Sequence, residues 1–235
     1  MDRYFVLLGG GELKTKETLA LDRAIGEMAK RRAGDRRANA LFVGTASHDF
    51  MPYYNTFHKT YTGELDIKTD VALTVYTEMN AEKLDAKFEK ADMIYVGGGD
   101  TVFMLESWQK SGLGARILDA YRRGVIVAGL SAGAICWFEK MYTDSAPDAQ
   151  GNAPYAVFPA LGVLTGGACP HYDDRRADFA ANVPADEDWL CIENNAAVVW
   201  RNETLVGALK NGKNAYTVRK NDGIITETPI PVLEK

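Results

Sequence analysis

Histidine and cysteine occur only three times each in this chain of 235 residues, and serine only five times. The three cysteines, Cys136, Cys169 and Cys191, form an odd set without Cys-x-x-Cys spacing. That argues against a disulfide framework and against a zinc site, and all three read as small buried hydrophobes. Cys169, two residues before His171, is the one that also qualifies as a candidate reactive thiol. No apolar run reaches the length of about 18 residues that a membrane-spanning helix needs. The N-terminus opens on a short strand pattern, Arg3 to Leu8, with no signal-peptide core and cleavage site, so a cytoplasmic protein is expected. A basic stripe is also missing, and the net charge is −5. The one cationic cluster, Lys30, Arg31, Arg32, Arg36 and Arg37, reads as charge at the carbonyl end of a helix, so nucleic acid is not an expected partner. Neither Gly-x-Gly-x-x-Gly nor Gly-x-x-x-x-Gly-Lys-Ser/Thr occurs, which disfavours a nucleotide site. No cofactor and no metal are expected.

Hydrophobic residues make up 46% of the chain and charged residues 25%, ordinary values for a globular protein. The first two-thirds alternates strand and helix patterns. Strands are read at Tyr4–Leu8, Asn39–Gly44, Asp70–Tyr76, Met93–Val96 and Val125–Leu130. Helices are read from about Thr15 to Arg32, around Pro52–Tyr61, and at Ala81–Lys90, Thr101–Lys110 and Ala115–Arg123. In the first helix Leu21, Ala24, Ile25, Met28 and Ala29 recur at helical spacing. Such alternation implies an α/β protein with a mostly parallel central sheet and helices on both faces. After about residue 140 the pattern changes. The segment Thr143–Tyr155 reads as a loop bordering the site, and a strand follows at Leu161–Leu164. Short runs come next at Leu190–Ile192, Ala196–Trp200, Thr204–Ala208, Ala215–Arg219 and Gly223–Thr228, separated by turn residues such as Asn211-Gly212. They read as an antiparallel C-terminal extension packed on the same sheet. Residues 1–235 are therefore expected to form a single domain.

The stretch Val125-Ile126-Val127-Ala128-Gly129-Leu130-Ser131-Ala132-Gly133-Ala134 joins a β-branched apolar run to Gly-x-Ser-x-Gly and then to a helix-forming segment. In that order the pentapeptide reads as a nucleophile elbow, with the serine on a cramped turn at the carboxyl edge of the sheet. A serine nucleophile needs a base. His48 and His58 suit surface or packing roles. His171 ends a strand beside Gly166-Gly167, where functional groups of an open parallel sheet gather, so it is the expected base. It lies 40 residues after Ser131 and leaves 64 residues behind it. An α/β-hydrolase, which runs serine, acid, histidine with its histidine near the C-terminus, therefore fits poorly. The turn Gly97-Gly98-Gly99 also follows a strand. Amides of Gly98 or Gly99, with that of Ala132, are the expected oxyanion donors.

Three segments, Tyr95-Val96-Gly97-Gly98-Gly99-Asp100-Thr101, Gly129-Leu130-Ser131-Ala132-Gly133-Ala134 and Pro170-His171-Tyr172, closely resemble the peptidase E and cyanophycinase family. The resemblance runs from the first strand to about Trp200. It implies a flavodoxin-like, class I glutamine amidotransferase-like fold, a Ser131–His171 pair, and hydrolysis of peptide bonds beside acidic residues. Peptidase E removes N-terminal aspartate from dipeptides, and cyanophycinases cut a β-linked Asp–Arg polymer. The family carries a glutamate after the next strand, where this chain reads Cys191-Ile192-Glu193-Asn194-Asn195. Two registers are open, one placing Asn194 in that slot and one placing Glu193. Neighbouring strand residues face opposite sides, so only one reaches His171. Glu193 is the expected third member because a carboxylate stabilises an imidazolium, whereas an amide only orients the ring. Asn194 and Asp144 stay open as alternatives.

Asp100, Asp144, Arg175 and Asn194 are candidate substrate contacts, Arg175 because a guanidinium fork one turn beyond His171 suits a carboxylate. Trp108, Trp137 and Phe138 read as core. The reading is a serine peptidase, a dipeptidase or short-peptide hydrolase acting through an acyl-enzyme. A catalytically impaired binding or regulatory protein of the same family is the alternative. A glutamine amidotransferase is disfavoured, since that chemistry expects cysteine where Ser131 stands. The expected partner is a small peptide, with a homodimer allowed for and no membrane.

Overall fold

The computed structural model describes residues 1–76, 79–146, 151–209 and 211–233. Its centre is a run of parallel strands: β1 (Tyr4–Leu8), β2 (Asn39–Val43), β3 (Lys68–Ala72), β4 (Met93–Val96) and β5 (Ile126–Leu130). They lie in the order β1-β5-β4-β2-β3. Their apolar side chains alternate between faces with a period of two. Val6, Leu8, Phe42, Tyr95 and Ala128 pack towards α1 (Leu19–Ala33) and α2 (Met51–His58). Phe5, Leu7, Val43, Ile94 and Val127 pack towards α3 (Ala81–Lys90), α4 (Thr101–Ser111) and α5 (Leu113–Arg122). Burial on both faces explains why β1, β2, β4 and β5 read as apolar runs, while the edge strand β3 keeps exposed polar residues. Phe42 is the hub of the α2 side, with Tyr53, Tyr54, Phe57 and Tyr95 around its ring. Truncating such a ring to alanine costs about 3–5 kcal/mol.

Some boundaries differ from the sequence reading. Residues before Leu19 turn through short-range backbone hydrogen bonds such as Lys16 N to Leu13 O, and the helix starts only after Thr18. The second helix is followed by a π-helical stretch, Lys59–Glu64. The cationic cluster does end α1, but two of its members reach further. Arg32 and Arg36 hold the fully buried Asp92 carboxylate, which also accepts from the Asn39 amide at 2.9 Å. Asp92 immediately precedes β4, so this clamp ties α1 to the amino edge of the sheet, opposite the glycine-rich strand ends.

The larger correction concerns the last hundred residues. After Ser131 the helix is a single turn, α6 (Ala132–Ile135), and Phe138 opens a strand, β6 (Phe138–Thr143). With β7 (Ala156–Pro159), β8 (Leu164–Cys169), β9 (Asp188–Ile192), β12 (Ala215–Asn221) and β13 (Ile224–Pro229) it forms a second, six-stranded sheet ordered β13-β12-β9-β8-β6-β7. Strands β6, β8 and β9 run parallel, while β7, β12 and β13 pair antiparallel. Only β10 (Ala197–Arg201) and β11 (Thr204–Leu209) extend the first sheet, as an antiparallel hairpin beside β1. The tail is thus divided between two sheets and is not one extension; its strands alternate regularly whichever sheet receives them, so periodicity does not divide them. One face of the second sheet joins the first through Ala168, Leu164, Leu190 and Ile192. The other buries Tyr172 and Phe179 of α7 (Tyr172–Asn182) against Trp189 and Val218. The fold is thus α/β with two mixed sheets flanked by helices, and among the described residues no helix is long and apolar enough to cross a membrane.

Candidate active site

Ser131 stands between β5 and α6 with φ 52° and ψ −109°, a backbone conformation that costs a non-glycine residue on the order of 1–3 kcal/mol. Its flanking glycines make that turn fit. A Cβ on Gly129 would lie 1.9 Å from the Gly133 carbonyl oxygen, and one on Gly133 would lie 2.2 Å from the Val96 carbonyl oxygen. Both obstacles are backbone and cannot swing away, so the strand, turn and helix close only with glycine at both positions.

Facing Ser131 is His171, held at φ 50° between β8 and α7, with its amide donating to the Gly9 carbonyl at 3.0 Å. That bond links the end of β8 in the second sheet to the end of β1 in the first. The His171 Nε2 lies 2.8 Å from Ser131 Oγ, and its Nδ1 lies 2.6 Å from Asn194 Oδ1. Burial is the largest influence on the imidazole and pulls its pKa below the usual histidine value. The Asn194 bond raises it, the nearby Arg175 lowers it, and Asp174 and Asp173 raise it. The net lowering keeps the ring neutral, ready to accept a proton, at neutral pH.

Asn194, not Glu193, makes the contact with the ring. The two residues follow β9, where the chain turns, and their side chains go to different partners. The buried Glu193 carboxylate accepts from the Asn214 amide at 2.9 Å, from Arg176 at 3.2 Å and from the Tyr216 hydroxyl at 3.3 Å. Those bonds fasten β9 to the start of β12 and consume the charge expected at His171. The other candidates for substrate contact are tied elsewhere too. Asp100 caps α4, accepting from the Phe103 amide at 2.9 Å. Arg175 is buried, donates to the Tyr142 carbonyl at 3.1 Å, stacks over Tyr155 and approaches Asp144 at 3.4 Å. Asp144 is therefore engaged with Arg175 and not with His171. Of the loop read as bordering the site, residues 147–150 fall outside the described residues, and none of the rest lines the cavity.

Ser131 opens onto a cavity of about 850 Å³ lined also by Gly98, Gly99, His171, Asn194 and Tyr53, with Glu12, Lys14 and Glu17 at one side. A Cβ on Gly98 would lie 3.3 Å from Ser131 Cβ, so its backbone passes next to the serine, and its amide donates to the Tyr53 hydroxyl at 3.3 Å. Burial pushes the Tyr53 phenol up to about 12, so it keeps its proton. Ala132 contributes the amide just after the serine; as the first of a helix it has no intrahelical acceptor. Three participants escaped the sequence reading. Tyr53 lies in the helix read around Pro52–Tyr61, and Lys14 lies just before the helix read from about Thr15. Gly10 lies in the run Gly9-Gly10-Gly11 directly after the first strand, and a Cβ there would lie 2.2 Å from Asn194 Oδ1 and 2.4 Å from His171 Nδ1. Three consecutive glycines at a parallel strand's carboxyl end were the available signal.

Comparison with known proteins places the chain in a peptidase family. The profile of peptidase family S51 matches residues 5–207. The uncharacterized peptidase YgaJ of Bacillus subtilis (strain 168) is 33% identical over 241 residues, covering 99% of this chain and 98% of that protein. A peptidase from an acI-B1 Actinobacterium superposes with a TM-score of 0.73 at 18% identity, over 100% of this chain and 96% of that one. A putative peptidase E protein from Listeria monocytogenes EGD-e gives a TM-score of 0.62 at 18% identity, over 88% and 98%. The chain belongs to peptidase family S51, the peptidase E family, and is a serine-type peptidase. Its substrates are therefore peptides.

Proposed function

We propose that Ser131 is the nucleophile of this peptidase, that His171 is its general base and acid, and that Asn194 orients the imidazole. The observation that carries the reading is the 2.8 Å approach of Ser131 Oγ to His171 Nε2 with Asn194 Oδ1 at 2.6 Å behind Nδ1. With Nδ1–H donating to Asn194, Nε2 is left with a lone pair to take the hydroxyl proton as Oγ attacks the peptide carbonyl. The amides of Gly98 or Gly99 and Ala132 receive the developing oxyanion, one such donor being worth about 3–4 kcal/mol. The imidazolium then protonates the departing amine, leaving an acyl-enzyme that water hydrolyses by the same relay in reverse.

The substrate is a dipeptide or short peptide with an acidic residue beside the scissile bond. Lys14 is the cation lining the cavity for such a carboxylate, while Glu12 and Glu17 on the same side suit a free α-amino group. The strained turn at Ser131 serves as a nucleophile elbow. The alternative of an impaired binding protein loses ground because a side chain does reach Nδ1 of the base.

A fluorophosphonate probe and a dipeptide library, Asp-X against other N-termini, test the proposal together. Labelling at residue 131 and turnover that both vanish in Ser131→Ala are the expected result. Hydrolysis surviving in Ser131→Ala would reject the nucleophile assignment.

A further inference from the structure

We propose that Asp173 and Asp174 are positioning residues of the active site: their paired carboxylates lock the Asn194 amide, and through it the proton-accepting nitrogen of His171. The inference rests on the Ser131–His171 chemistry proposed above. A neutral asparagine behind a catalytic imidazole carries an ambiguity that a carboxylate lacks. Its side chain has one accepting and one donating end, related by a half-turn. With the oxygen towards the ring, Nδ1 must carry the proton and Nε2 is free to act as base. With the NH2 group towards the ring, Nδ1 becomes the acceptor, Nε2 carries the proton, and Ser131 faces a group that cannot take its own.

The first turn of α7 removes that ambiguity. Asn194 Nδ2 donates to Asp173 Oδ1 at 3.0 Å and to Asp174 Oδ2 at 2.8 Å. The Asn194 backbone amide donates to the same Asp173 oxygen at 2.8 Å, fixing the residue at its root as well as its tip. Ionised carboxylates only accept. A flipped Asn194 would set its oxygen against two anions and forfeit both charge-assisted bonds, so Oδ1 is held towards His171 Nδ1. Negative charge that the neutral Asn194 amide withholds from the ring is thereby returned one layer further out. The two aspartates sit at the second and third residues of α7, two and three positions after the histidine they control.

Charge around the ring comes from several elements. Asp173, Asp174 and Arg175 stand on α7, Lys213 pairs with Asp173 at 3.5 Å from the segment before β12, and Glu12, Lys14 and Glu17 line the cavity from the segment after β1. Within that field both aspartates favour the protonated imidazole, and Arg175 opposes it. Removing the two carboxylates therefore lowers the pH at which the base becomes charged. A role confined to holding the fold would leave that pH unchanged.

The experiment measures the second-order rate of fluorophosphonate labelling at Ser131 from acid to neutral pH, using the full chain and no assumed substrate. It compares the parent with Asp174→Asn, Asp174→Glu and Asp173→Asn/Asp174→Asn. Asp174 touches Asn194 only at Nδ2, so its single variant spares the backbone anchor and guards against loss of folding in the double one. The expected result is a fall of about tenfold or more in the plateau rate of the double variant and a smaller fall in Asp174→Asn. In both, the acid limb moves to lower pH, and Asp174→Glu recovers the rate. Parent-like rates and an unmoved limb in folded Asp174→Asn and the double variant would overturn the inference. Labelling of the parent that is indifferent to His171→Ala would instead reject the reading beneath it.

Discussion

Ser131 rises from the run of five parallel strands within the first sheet, whereas His171 and Asn194 follow strands of a neighbouring sheet in which parallel and antiparallel pairs mix. In the first, every parallel strand delivers its carboxyl end to one edge, and the glycines at those ends let backbone approach backbone. In the second, β8 and β9 deliver side chains to the same edge, and their neighbours β6 and β12 fix how far those side chains reach. In the proposed reaction one sheet supplies the attacking atom and the amides around it, and the other supplies the group that accepts and returns its proton. The Gly9 carbonyl, accepting from the His171 amide, is a bolt between them. The division teaches that neither sheet holds the proposed site alone.

The most severe test of this division is to disable one contribution from each sheet. Ser131→Ala and His171→Ala are each expected to lower kcat/KM by about 10⁴-fold or more, and the double variant should be no worse than either single one, because the groups act as a unit. Additive losses, measured on the best dipeptide, would break the comparison. The junction itself is probed by Gly10→Ala. Its new methyl would meet side-chain atoms of His171 and Asn194, so the pair must move while the backbone stays. Turnover should fall about a hundredfold with the thermal midpoint nearly unchanged. In Gly133→Ala the obstacle is the Val96 carbonyl of the first sheet, and there stability itself should collapse.

Within the second sheet, Asn194 and Glu193 separate catalysis from cohesion. Asn194→Ala should cost tenfold to a hundredfold in kcat with little change in melting. Glu193→Gln should leave kcat near the parent value and lower stability by about 1–3 kcal/mol, through weakened bonds to Arg176 and the Asn214 amide. The mildest expected effect lies in the pH profile. Because burial lowers the pKa of His171 and the base must be unprotonated, kcat/KM should stay on its plateau as pH falls through 6.5, the usual histidine value, and decline only below it. A limb at or above that value would contradict the burial described here.

The same contrast explains how much could be read in advance. Apolar runs such as Val125–Leu130 announce parallel strands because both faces are covered, and Gly129-Leu130-Ser131-Ala132-Gly133 follows one directly. His171 was legible from its position after a strand and a glycine pair. The segment after Ser131 was not, since Trp137 and Phe138 are as acceptable in a buried helix as in a strand, and only tertiary packing ends α6 after one turn. The partner of His171 was legible to within one residue. Period-two geometry says that Glu193 and Asn194 part ways, but which one turns to the ring depends on Asn214, Tyr216 and Arg176, residues distant in the chain that claim the carboxylate first. Likewise Arg175 had the right spacing and the wrong direction, because Tyr142 and Asp144 on the neighbouring strand and its continuation capture it.

Tyr53 gives the cavity a further property. Its hydroxyl engages the Gly98 amide while retaining a proton of its own. In the proposed reaction an arriving carbonyl oxygen need not strip that amide bare; it trades places with a phenol already seated there. The pocket thus greets its guest with a placeholder, and the side chain that steps aside stays close enough to lend the newcomer a second hand.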